Sequence, residues 1–525
     1  MAVAGWETTC LACLHNVAPR YIDAHRLRPR RVTGVHRPVT TRIPRRLLGY
    51  AGALGLALAA VLPAAAAEAL TYAEFLRRVI ARDASYDVAG LQLERTRAEL
   101  AKAESLLNWT LSGQGGVGRD LSLFGTISDR TDISLGADRR LSFGPQIGVS
   151  TGYTREDSAS SLSPLIPNPS NTTRADVFWR QPLARGSGNP AYREGRVIAE
   201  TSVQAAAAER VAAFDDLARR AADIFFAAAY THVRLQNAVQ ATARAERLKD
   251  YVQRNQRLGI AEEQDRLQAE AQLAARRAEH ETLLLVWTQQ RTSLNRLLEQ
   301  AWDADLHPSL SANSRREPPP ADVLYTESEQ HSPQRLRLEA RARQAEAVIG
   351  RSRDVARDQF DAVLSLGSRQ LSGDVAAGSV DNSDAVGSLR FEYRGVLGRS
   401  GADAELNQAV LDQSIARRQL ESVRTDLRYT VSGLAAEVTS AQAAHAQARR
   451  RLQSERAKVE EAAARYRNGR SDTAQVIQFE NDALLAELLA EQQAIELARR
   501  LVEIDVLRGA LWAEHGAAAT PGETP

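Results

Sequence analysis

Between residues 107 and 183 apolar and polar positions alternate. Leu107, Trp109, Leu111 and Val117 share one parity, with Asn108, Thr110, Ser112 and Gln114 on the other. Ile133, Leu135, Ala137 and Leu141 alternate with Asp132, Ser134, Asp138 and Arg140. Ile147, Val149, Thr151 and Tyr153 alternate with Gln146, Ser150 and Thr154, and Ala175, Val177 and Trp179 with Asp176, Phe178 and Arg180. A period of two places one set on each face of a sheet, so four strands are predicted here. "SFGP" (142–145) reads as a tight turn, whereas 119–130 and 156–171 read as long polar loops. Two further strands are predicted at "DAVLSLGSR", with Ala362, Leu364 and Leu366 on one face, and at "GSLRFEYRG", with Leu389, Phe391 and Tyr393 on one face.

Elsewhere the period is helical. Residues 70–105 predict one helix and 190–257 a far longer one. In the latter Val211, Ala218, Phe225, His232 and Val239 recur every seven residues, with Phe214, Ala221, Ala228 and Leu235 in the second heptad position. This is a coiled-coil seam with small residues, so neighbouring helices can approach closely. At ~1.5 Å per residue the helix is on the order of 100 Å long, against about a dozen residues for a mean globular helix. Spanning a compartment needs that length; a globular core does not. Gly259 ends the helix and a return helix runs to about residue 300. Residues 302–333 read as a Pro-, Ser- and Asp-containing linker, after which the pattern restarts. A helix at 334–359 and the two later strands lead into a second long helix at 402–467. Its seam of Leu427, Val431, Leu434, Val438, Ala441, His445, Ala448 and Leu452 is spaced four-three-four-three. Gly469 breaks it, a return helix runs to about 513, and 514–525 read as a disordered tail. The two breaks, "RLGIAEEQDRLQAEAQL" and "RNGRSDTAQVIQFENDALL", place Gly259 and Gly469 210 residues apart. Duplication at this scale means two copies of one structural unit, here 68–301 and 334–513. The predicted fold class is mainly α with β: duplicated long coiled-coil helices plus strands.

Composition agrees, being rich in Ala, Arg, Glu, Gln and Leu with 5% aromatics over 525 residues, as long packed helices require. Residues 45–67, "RRLLGYAGALGLALAAVLPAAAA", read as a secretory signal, with Arg45 and Arg46 ahead of an apolar stretch to Leu62 and small residues for cleavage near Ala67. The Arg- and Pro-rich residues before it read either as an over-long assigned start, the true one lying near Val39, or as a genuine N-terminal extension. The only cysteines, Cys10 and Cys13, fall there; one C-x-x-C pair without a second, outside the folded region, does not make a metal or redox site. Residues 1–67 hold nine Arg and two acids, Glu7 and Asp23, so the rest carries 58 basic and 63 acidic side chains, a net charge of −5. The apparent basicity thus belongs to the leader and gives no support to nucleic-acid binding.

After the signal no run of about 18 apolar residues occurs, so no membrane-spanning helix is predicted, and the chain could enter a membrane only as a β-barrel. Short turns on one side and long loops on the other match an outer-membrane barrel with its long loops outside the cell. Trp109, Phe143 and Trp179, with Phe391 and Tyr393, then lie at the periplasmic level as an aromatic girdle. Strands of a soluble sandwich alternate in the same way. The barrel is favoured because each outward set is apolar while the opposite set carries charges.

These residues resemble the outer membrane efflux protein family, the TolC-like channels, over essentially all of 68–513. The most specific segment is the second tip, "ARYRNGRSDTAQVIQFENDAL", similar to the family's tyrosine, two residues, glycine, then a polar-apolar restart of the helix. The segment "RQPLARGSG" (180–188) resembles the turn from last strand to long helix. The resemblance implies a homotrimer sharing one barrel in the outer membrane of a Gram-negative bacterium. Its helices would form a periplasmic tunnel whose tips dock on a periplasmic adaptor and an inner-membrane pump, for export of small molecules or polypeptides in tripartite efflux or type I secretion. The family's usual four strands per subunit contrast with six counted here, which means an eighteen-stranded barrel or one hairpin outside the ring. Leu258, Gly259, Ile260 and Ala261, and Asn468, Gly469, Arg470 and Ser471, become candidates for adaptor docking. A constriction is implied just past each tip, with carboxylates six and nine residues after the glycine. The corresponding positions are Asp265 and Gln268, then Gln475 and Gln478, with Tyr466 beside them. Three symmetry-related copies of Asp265 would favour cations, while the amides weaken such a ring. Asp265 also suits the first turn of a helix on its own account.

No catalytic constellation or cofactor motif is found. His232 and His445 sit in heptad seams, and His280 between Glu279 and Glu281 does not share a helix face with them. There is no Walker loop, H-E-x-x-H or nucleophile elbow. The competing reading is a soluble periplasmic coiled-coil scaffold or adaptor, for which one hairpin rather than two is expected.

Overall fold

The computed structural model describes residues 70–121, 127–159, 165–309, 319–395, 397–398, 400–468 and 470–516. The signal segment, Cys10, Cys13 and Gly469 lie outside them. In chain order the elements are α1 (Tyr72–Ile80), α2 (Ala84–Glu104), β1 (Thr110–Leu121), β2 (Ile127–Arg140), β3 (Gln146–Ser158), β4 (Ser170–Pro182), α3 (Pro190–Arg257), α4 (Glu263–Leu297), α5 (Ala321–His331), α6 (Pro333–Val355), β5 (Gln359–Val375), β6 (Gly378–Arg394), α7 (Ser400–Arg467) and α8 (Thr473–Leu507). The duplication is metrical. α3 and α7 each have 68 residues, α4 and α8 each have 35, and both pairs start 210 residues apart, at 190 and 400 and at 263 and 473.

Local chemistry sets the boundaries. The single helix expected at 70–105 is two, because the Asp83 carboxylate accepts from the N–H groups of Ser85 (2.9 Å) and Tyr86 (3.0 Å) and starts a new helix. Asn189, in the left-handed region at φ 48°, caps α3 and Pro190 takes its first turn. The interval expected to be a linker contains α5, whose Leu324 is fully buried. The tail is ordered further than expected, since His515 is buried and Tyr86 Oη donates to the Gly516 carbonyl at 3.4 Å.

The heptad seam of α7 holds from Leu427 to Ala448, with half-buried His445 as its one weaker position. That of α3 does not, since Val239 is 50% exposed and burial passes to Ala238, Ala241, Ala245 and Val252. A straight α-helix drifts about 20° per heptad against a seven-residue repeat, and the alanine-rich surface of α3 lets the buried stripe migrate. The main core lies where α1, the middle of α3 and the C-terminal parts of α4 and α8 gather around Phe75, Phe214, Leu217, Phe225 and Leu294. The rings of Phe75 and Phe225 are 5.4 Å apart. A second core joins Leu324 to Val431, Leu434 and Val438 of α7 and to Leu497 and Ile504 of α8.

All six strands form one antiparallel sheet in the order β1-β2-β3-β4-β5-β6, so the strands of the two repeats meet at β4 and β5. The strands extend into segments expected to be loops, through Leu121, from Ile127, through Ser158 and from Ser170. There, apart from the paired Leu121 and Ile127, both faces are polar, so the sequence carries no regular alternation to reveal them. The outer end is also not uniformly long-looped, because Val375 pairs Gly378 across a tight turn between β5 and β6.

Candidate functional site: an apolar sheet face and paired helix tips

The register places Leu111, Ala137, Val149, Val177, Leu366 and Gly387 in one row across the sheet. On the same face Ile147, Trp179, Leu364 and Leu389 form the row on one side of it. Leu135, Thr151, Ala175, Ser368 and Ala385 form the row on the other side. Arg139 belongs to the row of Ile147 and Trp179, where its Nε donates to the Leu107 carbonyl at 2.6 Å, and among the described residues it is the one charged side chain on this face before the row of Arg155 and Asp381 at the far end. Leu111 is 83% exposed and Leu389 62%, so none of the described residues of one copy covers the band. From Gln181, Ala362 and Phe391 to Thr173, Gln370 and Ser383 is eight residues on each strand. That is ~26 Å along a strand, or ~20 Å along the membrane normal at a tilt of about 40°, close to the about 25 Å apolar band of outer-membrane barrels.

The opposite face is polar. It carries Asp138, Arg174, Asp176, Arg369 and Asp384. At its helix-proximal end Arg180 pairs with Asp361 (3.0 Å) and Glu392 (2.9 Å). Gly148 faces the Phe178 ring so closely that no Cβ would fit between them, which explains the one aromatic in the polar set. The sheet ends at two unpaired edges, β1 and β6. Sheet edges left open to water invite pairing with another chain.

The five residues expected to form a girdle are all exposed and lie at the helix-proximal end of the apolar face. Trp109 precedes β1, Phe143 is in the turn between β2 and β3, and Trp179, Phe391 and Tyr393 occupy successive rows. The Tyr393 hydroxyl donates to Asp358 at 3.1 Å.

The two tips close alike. At the first, Ile260 N–H bonds Asn255 O and Gly259 N–H bonds Gln256 O, both at 2.9 Å, with Gly259 at φ 77°; this is the Schellman pattern that glycine permits. At the second, Arg470 N–H bonds Arg465 O at 2.9 Å in the same frame. The first tip presents Leu258 and Ile260 to solvent, 72% and 73% exposed, with Ala261 half-buried behind them. The second presents Asn468 and Arg470, with Ser471 Oγ donating to Gln475 at 2.6 Å.

Past the tips, Asp265 is the third residue of α4 and accepts from Glu262 N–H at 3.2 Å. Gln268 is half-buried, while Gln475 and Gln478 are exposed. Tyr466 joins the hairpins. Its ring lies 5.5 Å from that of Tyr251, and its hydroxyl bonds Thr473 at 2.8 Å. Burial raises its pKa, the Thr473 bond opposes that, and the Asp265 carboxylate adds to it. Sequence reasoning missed the lateral tie behind the tips, where Gln272 donates to Asn481 at 3.0 Å and Arg276 bonds the same oxygen. Next to Asn481, burial raises the pKa of Glu480 against the pull of Arg244, Arg276 and Arg247. Single polar residues on a helix surface look solvated until the facing helix is known. Among the described residues no helix is long and apolar enough to cross a membrane, and no cluster of three metal-ligating side chains occurs.

No family model matches the sequence, and no curated protein does. Solved structures do. The chain is similar to the outer membrane protein VceC from Vibrio cholerae (TM-score 0.57, 14% identity, covering 83% of this chain and 96% of that one). It is similar to the Neisseria gonorrhoeae MtrE outer membrane channel in its open state (0.55, 18%, 83% and 88%). It is also similar to the Campylobacter jejuni CmeC outer membrane channel (0.53, 14%, 83% and 85%). The fold of this chain is therefore the fold of these outer-membrane channels, with identities too low to carry function by themselves.

Proposed function

We propose that the chain is the subunit of a trimeric outer-membrane duct, the exit channel of a tripartite export system in a Gram-negative bacterium. The observation that carries this reading is the open six-stranded sheet, with an apolar band across one face, a polar opposite face, and both edges unpaired. An even strand number leaves β1 and β6 running in opposite directions, so β6 of one copy can continue the antiparallel ladder into β1 of the next and close a ring without edges. The helical layer has a matching free flank. α3 is packed between α2, α4, α6 and α8, whereas α7 uses one narrow stripe against α5, α6 and α8 and exposes the rest, including Leu411, Ile415 and Tyr429. Such head-to-tail contacts close into a ring. The number three comes from the resemblance of the sequence. Eighteen strands at ~4.8 Å spacing and a tilt of about 40° enclose a cylinder ~36 Å across the backbone, wide enough for an aqueous channel.

In this reading the 68-residue helices α3 and α7 wall the periplasmic conduit and the tips around Gly259 and Gly469 meet the adaptor. The exposed Leu258 and Ile260 supply an apolar contact. An inner-membrane pump supplies the energy. Asp265, Tyr466 and the nearby amides line the narrow end, where the capping bond of Asp265 leaves its second carboxylate oxygen for the lumen. The test is fractionation followed by mass determination. The chain is expected to stay with outer membranes through a high-salt wash and to run as a trimer in detergent. A water-soluble monomer released by salt would establish a periplasmic scaffold instead.

A further inference from the structure

Where the polar sheet face meets the helices, a cavity of about 480 Å³ is walled by five arginines, Arg140, Arg180, Arg185, Arg351 and Arg394, and two acids, Asp354 and Asp361. The acids are already engaged. Asp354 accepts the Gly186 N–H at 2.9 and 3.1 Å, and Asp361 accepts from Arg180 at 3.0 Å and from Gln359 at 2.8 Å. Arg180 is further held by Glu392 at 2.9 Å, and Asp138 just above accepts from Gln146 at 2.8 Å. Arg140, Arg185, Arg351 and Arg394 have no carboxylate partner among the described residues, and all four are exposed. The ends of β2 and β6, the turn between β4 and α3, and the C-terminal part of α6 converge to bring Arg140, Arg394, Arg185 and Arg351 together. On an isolated surface each would be an ordinary solvated charge. Gathered around one concavity, five arginines against Asp354, Asp361 and the Glu392 carboxylate that also holds Arg180 leave an excess of two positive charges. Register places Arg140, Arg180 and Arg394 on the polar face, so the cavity opens away from lipid.

We propose that this cavity is an anion-binding vestibule that draws phosphate- or carboxylate-bearing solutes from the helical conduit into the barrel. The inference rests on the duct reading, and it names the cargo class as anionic. Guanidinium groups bind such oxyanions through paired N–H donors, and rings of arginine select anions in pores. Threefold repetition would surround the passage with the same site and concentrate anions at its mouth.

The test uses the full trimer in bilayers of phosphatidylcholine, which has no net charge, with sodium tripolyphosphate as probe. Titration calorimetry in detergent is expected to detect tripolyphosphate binding to the wild type, weakened at least ~tenfold in the triple variant Arg140→Gln, Arg351→Gln, Arg394→Gln. In a potassium chloride gradient the chloride-to-potassium permeability ratio is expected to fall at least ~threefold from wild type to variant, the Asp265 constriction being common to both. A conducting pore with no tripolyphosphate binding and an unchanged ratio overturns the vestibule and leaves the duct standing. Tripolyphosphate binding by a protein that neither joins membranes nor conducts overturns the duct reading and the cargo role with it.

Discussion

Replacing Val149 by arginine is expected to cripple membrane assembly, while the same change at the next residue, Ser150, is expected to be tolerated. Val149 sits in the central row of the apolar face with Ala137 and Val177 as neighbours, and Ser150 lies on the other face directly opposite Asp176. Only Ile147 on one side, and Thr151 and Tyr153 on the other, separate Val149 from the ends of the apolar stretch of β3, so its side chain lies near mid-band. An arginine facing lipid at that depth costs about 2–4 kcal/mol per copy, equivalent to a ~30- to ~900-fold loss in the folding equilibrium. Position 150 faces the polar side, where a guanidinium gains a cross-strand carboxylate worth about 0.2–1 kcal/mol. The assay is equilibrium folding into lipid vesicles in a urea series, with the outer-membrane fraction of cells as an independent readout. Equal folding of the two variants, or a larger loss at 150, would refute the assignment of the faces and with it the barrel.

Two further outcomes are expected. Burial holds the Glu480 carboxyl above its usual range, so its contribution to stability is present below the unfolded pKa near 4.3 and is lost as pH rises through the folded value. Glu480→Gln should therefore melt higher than wild type at pH 7 and lose that advantage by pH 4, and a constant difference between the two across this range would contradict the burial argument. Gly259 stands at φ 77° with open space where the first carbon of a side chain would sit, so Gly259→Val costs only backbone strain, about 1–2 kcal/mol. Membrane insertion should be intact and export reduced, and normal export would remove the first tip from the mechanism.

The elements with strong periodicity are legible in the amino-acid sequence alone. The two long helices, the six strands and the duplication with its 210-residue offset follow from heptads, period-two alternation and paired glycines. These are local signals, fixed by which face a residue must bury. The break at Asp83 and the helix at Ala321–His331 are not legible there. A lone capping aspartate looks like any polar residue, and a short helix is stabilised by the groove between α7 and α8 that receives Leu324 rather than by its own propensity. The polar ends of the strands are hidden because both of their faces are wet. At the candidate site, the exposed face of Trp179 and Leu389 can be read from parity alone. The joining of β4 to β5, the Tyr251–Tyr466 contact and the convergence of Arg140, Arg185, Arg351 and Arg394 cannot. Each brings together residues far apart in the chain, and such proximity depends on register and packing between elements, which only the tertiary structure decides.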